Sequence, residues 1–438
     1  MPSLHDSDLN LPALHLRGNR APVNREVTVD KLRVTGRIPA ELNGWYLRNG
    51  PNPRNASSHW FLGEGMLHGV RLRDGNAEWY RNRWVHTAKF DGDPTPLYDQ
   101  QTGSRNLHVS EANTHIVSYA GRTLALIESA LPWEVTRELD TLGVYDFGGA
   151  LTNSMTAHPK TCPITGELHF FGYGSLTAPH VRYHRADVDG TLVVDQPIDV
   201  PSLTMMHDFA ITEKYVLFLD LPVVFNVELA RLGTMPYRWN PDYKARIGVL
   251  RRDDPTTAVR WFDIEPCYVF HVANAFDTND VITLHAVRYE SMWVDSSSAF
   301  DDHGTLHEWT IDLSRDRITE RALDDRSIEF PRIDDTLTGL PHSHVFAVGA
   351  HHLTRYDVNS AAYQTREFGA DEPGESVFVP TPTGAGYLLL FVYRADTDTS
   401  DLVILDAGNL AAAPMAEIHL GVRVPAGFHG NWFPDSLA

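Results

Sequence analysis

The chain has 438 residues, a formal net charge of −20, 42% hydrophobic and 10% aromatic residues, so it can bury a large core and is not disordered. The acidic balance argues against nucleic acid as a partner, because phosphate contacts need clustered lysine and arginine. Two cysteines cannot build a disulfide framework or a zinc cage, and without a secretory signal or a spanning apolar run in the sequence we expect a cytoplasmic protein.

Predicted β-strands follow one another along the chain. Each is a short apolar or alternating segment closed by Gly, Pro, Asn or Asp, which is the pattern of a strand of about four to eight residues. In chain order they include GWYLRNGPNP (44–53), AEWYRNRWV (77–85), RTLALIES (122–129), GELHFFGYG (166–174), KYVLFLDLP (214–222), DVITLHAVRY (280–289), GTLHEWTIDL (304–313), GYLLLFVYR (386–394) and SDLVILDAG (400–408). Helical periodicity is limited to PWEVTREL (132–139) and PVVFNVELARLG (222–233). The sequence therefore predicts an all-β fold.

So many strands in one domain need an architecture that avoids exposed sheet edges, and radial repetition of four-stranded blades supplies one. At about 50 to 60 residues per blade, the chain length predicts a seven-bladed β-propeller. No WD or kelch signature is present, so this prediction rests on the number of strands. We assign residues 1–25 to an N-terminal arm and residues 26–438 to a single propeller domain.

Four of the 22 histidines share a context, because each stands at the start of a strand-like segment among apolar or small residues. They are His158 (MTAHP), His207 (MMHDF), His271 (VFHVA) and His429 (GFHGN). The first three are about one blade apart, so one inward-facing histidine per blade would converge on the propeller axis as a metal site. Single apolar-flanked histidines are more often core residues, and the spacing alone leaves both interpretations open. By ligand type, four imidazoles suit zinc, copper, iron or nickel.

A series of motifs occurs in a fixed order along the chain. They are LRNGPNP (47–53), HWFLGEGMLHGV (59–70), EANTHIVSYAGRTLALIES (111–129), MTAHP (155–159), MMHDFAIT (205–212), VFHVANAF (269–276), IEFPRIDD (328–335), GESVFVP (374–380) and GFHGNW (427–432). In this order they resemble the carotenoid cleavage oxygenase family, from about residue 28 to the C-terminus. The resemblance implies a seven-bladed propeller with a cap of loops and short helices over one face and an axial metal site. It also implies one Fe(II) per chain and cleavage of a conjugated C=C bond by O₂ into two carbonyl products.

Transferred motif by motif, the resemblance assigns four iron ligands: His158, His207, His271 and His429. In the family, three glutamates each accept the second ring N–H of a ligand, and their counterparts are Glu128, Glu329 and Glu375. A carboxylate in this position fixes the imidazole tautomer and raises its basicity. Without the resemblance, each glutamate would be interpreted as a solvated turn residue. The family chemistry needs no catalytic side chain beyond the metal site.

The position of the fourth histidine, close to the C-terminus, carries a structural prediction of its own. If His429 is a ligand, the last strand must close the propeller and bring the end of the chain to its axis. Gly427 and Gly430 would then let backbone segments approach each other, and Trp432 and Phe433 would pack the closure.

Candidate substrate contacts are apolar or aromatic residues, for each of which a place in the hydrophobic core is the alternative. They are Phe61, Ile127, Trp133, Tyr173, Phe209, Phe225 and Trp432. A stilbene-cleaving branch of the family binds a phenol with a tyrosine and with a lysine directly before the first glutamate. This chain has Ile127 at the lysine position, and Tyr98 is the only candidate for the tyrosine.

We therefore expect an apolar polyene, a carotenoid or apocarotenoid, as the substrate. A stilbene of the lignostilbene or resveratrol type is the alternative, and a propeller that binds an apolar ligand without chemistry is a more distant one. The apolar segment 215–233 is expected to frame the substrate entrance and to make a peripheral membrane contact, unless it is an ordinary buried strand and helix. No nucleotide-binding motif is present, and we expect a monomer.

Overall fold

The described part of the chain contains 33 β-strands (β1–β33) and a single α-helix, α1 (Val227–Arg231). The structure is a computed structural model, and it describes residues 14–55, 57, 59–99, 105–232, 234–295, 303–381 and 386–435. Short 3-10 turns occur at Leu14–Leu16, Gly18–Arg20, Trp60–Leu62 and Asp335–Leu337. Within the described ranges, no helix has the length and apolar character that crossing a membrane would need.

Five antiparallel sheets are built from strands of one continuous stretch of chain, and they form blades two to six. Blade two contains β6 (His115–Tyr119), β7 (Arg122–Leu126), β8 (Trp133–Val135) and β9 (Thr141–Val144), and blade three contains β10 (Lys160–Thr161), β11 (Leu168–Tyr173), β12 (Val181–Ala186) and β13 (Leu192–Ile198). Blade four contains β14 (Phe209–Ile211), β15 (Tyr215–Asp220), β18 (Arg246–Arg251) and β19 (Arg260–Asp263). Blade five contains β20 (Tyr268–Thr278), β21 (Val281–Tyr289), β22 (Thr305–Asp312) and β23 (Arg317–Ala322), and blade six contains β24 (Glu329–Arg332), β25 (His344–Val348), β26 (His352–Asp357) and β27 (Ala362–Glu367).

The two remaining blades each take a strand from the opposite end of the chain. Blade one contains β1 (Val27–Asp30), β5 (Asn76–Trp84), β4 (Gly65–Arg73), β3 (Gly44–Pro51) and β33 (Gly430–Pro434). Blade seven contains β2 (Arg33–Gly36), β32 (Ala416–His419), β31 (Thr399–Asp406) and β30 (Tyr387–Arg394), which pairs with both β28 (Glu372–Pro373) and β29 (Val377–Val379). Exchange of end strands closes the ring and leaves few free edges. The predicted seven-bladed, all-β fold is confirmed.

Burial along the strands explains why the sequence showed both continuous apolar runs and alternating ones. In blade three, β11 (LHFFGY) lies between two strands and is buried at all six positions. The outermost strand of the same blade, β13, alternates between buried or half-buried and exposed residues. Strands inside a blade are covered on both faces by neighbouring blades, whereas the outermost strand has one face in water.

A small cap is inserted into blade four. The strand β15 runs directly into β16 (Val223–Phe225), which pairs with β17 (Tyr237–Trp239), and α1 connects these two strands. The segment 215–233 therefore combines two environments: β15 is a core strand with five fully buried residues, whereas α1 has no buried residue.

Candidate metal centre and substrate cavity

Four histidines from four blades meet on the propeller axis. His158 precedes β10, His207 precedes β14, His271 lies in β20, and His429 immediately precedes β33. All four side chains are buried, with at most 6% of the residue surface exposed. Because each stands at the inner strand of its blade, residues distant in sequence converge on one point.

The ring nitrogens of three of these histidines point at one another. Nε2 of His207 lies 3.1 Å from Nε2 of His158 and 3.2 Å from Nε2 of His271. One nitrogen from each of the three lies within 4.8 Å of the others, close enough to share a metal ion. The ring of His429 completes the cluster, with its centroid 4.6 Å from that of His158 and 4.7 Å from that of His271.

Each of the three predicted glutamates lies against the outward-facing nitrogen of one histidine. Nδ1 of His271 is 2.5 Å from Oε2 of Glu329, and Nδ1 of His429 is 2.8 Å from Oε1 of Glu375. Nδ1 of His207 forms the equivalent contact with Oε1 of Glu128. The ring donates its Nδ1–H to the carboxylate in a hydrogen bond, so the tautomer is fixed and the lone pair of Nε2 faces the centre of the cluster.

The second oxygen of each glutamate is held as well. Tyr173 donates its hydroxyl to Oε2 of Glu128, and Tyr289 donates to Oε1 of Glu329 over 3.0 Å. Burial, together with the neighbouring carboxylate of Glu128, raises the pKa of Tyr173 well above its usual value, so this hydroxyl keeps its proton. Sequence reasoning missed Tyr289, since nothing near it in the sequence marks it as a partner of a residue in the next blade.

At Glu375 the second oxygen accepts from the backbone and from a cation. The N–H of Gly430 donates to Oε2 over 2.9 Å, and the guanidinium of Arg332 lies 3.3 Å from the same atom. Sequence reasoning also missed Arg332, although it stands three residues after Glu329 within the motif IEFPRIDD. The glutamates and their partners form a polar shell around the histidine cluster. This shell includes Tyr289 and Arg332 in addition to the predicted residues.

The donor set fits a metal cation. Two Nε2 lone pairs facing each other at about 3 Å repel unless a positive charge lies between them. Burial, reinforced by neighbouring imidazoles, lowers the pKa of His158 and of His429 well below the usual value, so these rings are neutral at physiological pH and each can offer a lone pair to a metal. At His271 burial is outweighed by the Glu329 carboxylate, which raises the pKa of that ring, so a metal ion competes with a proton for its Nε2.

The glycines around His429 permit the close packing predicted for them. A Cβ on Gly430 would lie 2.7 Å from the carbonyl oxygen of Leu47, and a Cβ on Gly427 would lie 2.6 Å from the guanidinium carbon of Arg48. Strand β33 pairs with β3, with Gly430 opposite Arg48. The C-terminal segment is therefore part of the axial site.

A cavity of about 380 Å³ reaches the cluster and is lined by His207, His271 and His429. Among the predicted substrate contacts, Phe61, Ile127, Tyr173 and Phe225 line its wall. Tyr98 also lines it. The size and the mainly apolar wall are typical of a small-molecule site.

Comparison with known proteins places this architecture in one family. The family model described as retinal pigment epithelial membrane protein (RPE65) matches residues 20–434. The "Carotenoid cleavage oxygenase" of Mycobacterium tuberculosis is 38% identical over 96% of this chain and 98% of its own length. This chain belongs to the carotenoid cleavage oxygenase family. The protein is accordingly an oxygenase, and the non-catalytic propeller left open by the sequence is not supported.

Members of the family with other named activities are also similar to this chain. The "Isoeugenol monooxygenase" of Pseudomonas nitroreducens is 31% identical over 97% of this chain and 99% of its own length. The crystal structure of a lignostilbene dioxygenase from Pseudomonas brassicacearum superposes with a TM-score of 0.87 at 26% identity, covering 97% of this chain and all of that one. The likeness therefore extends to enzymes named for different substrates.

Three further aromatic residues predicted as substrate contacts lie outside this 380 Å³ cavity. Trp133 belongs to an apolar cluster between blades one and two, and Phe209 packs edge-on against Phe171, with ring centroids 5.2 Å apart. Trp432 lines a second cavity, of about 780 Å³, which contains His158 but not His207. None of the three lines the cavity that contains Phe61 and Ile127.

Proposed function

We propose that this protein is an Fe(II)-dependent dioxygenase that cleaves a conjugated C=C bond of a carotenoid or apocarotenoid into two carbonyl products. The observation that carries the proposal is a cluster of four buried imidazoles, three of them oriented by carboxylates, at the wall of an apolar cavity. The named carotenoid-cleaving relatives support the same substrate class.

His158, His207, His271 and His429 would hold the metal. When bound, Fe(II) would supply the activation of O₂ for attack on the double bond. The glutamates hold the Nδ1–H tautomer of His207, His271 and His429, which directs the Nε2 lone pair of each neutral ring to the centre. They would also partly compensate the metal charge inside a buried site. No side chain is needed as a general acid or base, because the products arise by insertion of both oxygen atoms of O₂.

The cavity wall has to position the polyene and exclude water. Ile127 follows strand β7 and lines the cavity immediately before Glu128, which brings an apolar side chain next to the polar shell of the metal site. Phe61 and Phe225 add aromatic surface to the same cavity. Such a wall binds a conjugated chain through apolar contact area.

Metal content and product analysis together test this proposal. The protein, supplied with iron, should contain about one iron per chain and bleach an apocarotenal in an O₂-dependent reaction, with two carbonyl products by mass spectrometry. His158→Ala should lose both properties, whereas His351→Ala, at an exposed position, should keep them. Stoichiometric iron with no cleavage product from any polyene would reject the proposed substrate class.

A stilbene is the second candidate, and the position of Tyr98 favours it. The Tyr98 side chain lines the cavity, where its hydroxyl is a hydrogen-bonding group of the kind that a phenol needs. The similar lignostilbene dioxygenase supports this alternative. Turnover of 4′-hydroxystilbenes that exceeds turnover of apocarotenals in the same assay would favour it.

We also propose that the cap touches membranes peripherally. Leu232 is 73% exposed and Val227 is 50% exposed, and both flank Ala230, which lines the cavity. Apolar side chains at a cavity rim would let an apolar substrate pass from lipid into the protein. Co-sedimentation with neutral phosphatidylcholine vesicles should fall for Leu232→Asp, and equal binding by the wild type and this variant would contradict the proposal.

The expected monomer and cytoplasmic location remain part of the proposal, along with the single-domain boundary at residue 26.

A further inference from the structure

The wall of the 380 Å³ cavity contains a cation that the proposed reaction does not use. Arg105 donates from Nη2 to Oγ of Ser129 over 2.7 Å and from Nη1 to the hydroxyl of Tyr98 over 3.3 Å. Its guanidinium carbon lies 5.6 Å from the centre of the Tyr98 ring. Ser129 directly follows Glu128, so this group is anchored next to the polar shell of the metal site.

The positive charge of Arg105 has no carboxylate partner within ion-pair distance in the described ranges, and its Nε is buried without a hydrogen-bond acceptor. The other cation of the same cavity, Lys89, is paired with Glu111. The carboxylate of Glu128, the second acid on the wall, already contacts His207 through one oxygen and Tyr173 through the other. The cavity therefore holds one uncompensated guanidinium among mainly apolar surroundings.

An uncompensated guanidinium favours some ligand groups over others. It carries five N–H donors, of which Tyr98 and Ser129 take two, so several remain for a ligand. A purely hydrocarbon ligand would displace water from this charge and return no hydrogen bond, which is unfavourable. A carboxylate would satisfy both the charge and the free donors, and a carbonyl or phenolic oxygen would satisfy the donors alone.

We propose that Arg105, supported by Tyr98 and Ser129, is a specificity-determining residue that binds an oxygen-bearing end group of the substrate, with a carboxylate preferred. The substrate is then an oxidised fragment of a polyene, such as an apocarotenoid acid, and not an intact hydrocarbon carotene. This inference rests on the proposed function, which it narrows to one class of substrate. Arg105 positions the ligand and takes no part in the cleavage.

The experiment measures ligand binding, so it does not depend on turnover. Quenching of tryptophan fluorescence gives the Kd of the iron-loaded protein for retinoic acid and for methyl retinoate, which share one polyene and differ only in the charged end. The proteins are the wild type, Arg105→Met, which keeps much of the apolar stem, and Lys89→Met as the matched control in the same cavity. We expect the wild type to bind the acid about tenfold or more tightly than the ester, because charge-assisted hydrogen bonds are lost with the ester.

In Arg105→Met this preference should disappear, mainly through weaker binding of the acid. The ester can lose only neutral hydrogen bonds to its carbonyl oxygen, so its Kd should change much less, which shows that the cavity is intact. Lys89→Met should keep the preference. Equal binding of acid and ester by the wild type, an acid preference that survives in Arg105→Met, or equal weakening of both ligands would each overturn the inference. A wild type that neither binds nor cleaves the two polyenes would count against the proposed function itself. This outcome is distinguishable from failure of the inference, in which the wild type binds both ligands equally well.

Discussion

Glu375 links the last strand of the propeller to the histidine cluster through two adjacent residues. One of its oxygens lies 2.8 Å from Nδ1 of His429, and the other accepts the backbone N–H of Gly430 over 2.9 Å. A single carboxylate thus orients the imidazole and fixes the strand that carries it. Loss of this carboxylate should therefore disturb metal binding before it disturbs the fold.

Glu375→Gln is expected to lower iron affinity by about 10- to 100-fold, since groups that orient metal ligands have effects of this size. Competition with a chelator measures the affinity, and circular dichroism checks the fold. Glu367→Gln is the matched control because Glu367 is exposed at the end of β27. Equal iron affinity in the Glu375→Gln and Glu367→Gln variants would show that Glu375 does not support the site.

Removal of residues 429–438 should abolish iron binding and also lower the melting temperature. The truncation deletes His429 together with β33, which pairs with β3 over five residue pairs. The point variant His429→Ala keeps β33, so it should lose iron while its melting temperature in the metal-free state stays close to that of the wild type. Iron retained at wild-type stoichiometry by His429→Ala would exclude this histidine as a ligand.

Ile127→Lys should shift substrate preference towards hydroxylated stilbenes. The new ammonium would line the apolar cavity beside Tyr98, where it can meet a phenol but costs desolvation next to a polyene. The ratio of kcat/KM for resveratrol to that for an apocarotenal should rise by about tenfold or more. Ile127→Met controls for shape, and a ratio that changes equally in both variants would argue against the role of charge.

Acid should destabilise the protein through His342 in addition to the metal site. Burial, with His285 nearby, lowers the pKa of His342 to about 3. The unfolded chain takes up a proton near the usual pKa of about 6.5, whereas the folded chain does so only near 3. The contribution of neutral His342 is therefore complete above pH 6.5 and is lost as the pH falls from 6.5 to 3, by at most about 1.4 kcal/mol per pH unit.

Urea unfolding at pH 7.0, 5.5 and 4.5 measures this effect as the slope of the free energy of unfolding against pH. His342→Gln lacks the titrating ring, so one proton fewer is taken up on unfolding. The slope of its free energy of unfolding against pH should therefore be smaller by up to about 1.4 kcal/mol per pH unit. His351→Gln, at an exposed position, should keep the wild-type slope. Parallel slopes for the wild type and His342→Gln would contradict the assignment.

Strand content could be predicted from the sequence because it is a local property, and the candidate metal-binding residues could be predicted from motifs. Strands such as β11 and β13 are recognisable from their own residues, through continuous or alternating burial. The four histidines have apolar or small neighbours, and the first three are spaced by about one blade. The motif resemblance then identified all four as candidate metal ligands. It also identified Glu128, Glu329 and Glu375, each of which stands in a recognisable motif.

Contacts between residues of different blades could not be predicted from local sequence or motifs. Which histidine meets which glutamate depends on blade geometry, since Glu375 and His429 are 54 positions apart in the sequence. Tyr289 holds Glu329 and Arg332 holds Glu375, and the sequence around each residue does not identify the glutamate that it contacts. Phe61 and Trp133 were both predicted as substrate contacts, yet of these two only Phe61 lines the cavity, whereas Trp133 is packed in the core.

The sequence by itself determined the all-β composition and the residue types that can bind a metal, because hydrophobic period and ligand chemistry belong to single residues and their neighbours. Only the tertiary structure decided that the C-terminal strand β33 pairs with β3, that Ile127 and Tyr98 share one cavity, and that Arg105 stands there without a carboxylate partner in the described ranges. The pairing of β3 with β33 arises from closure of the ring, which joins opposite ends of the chain, and the cavity depends on how loops from several blades pack together.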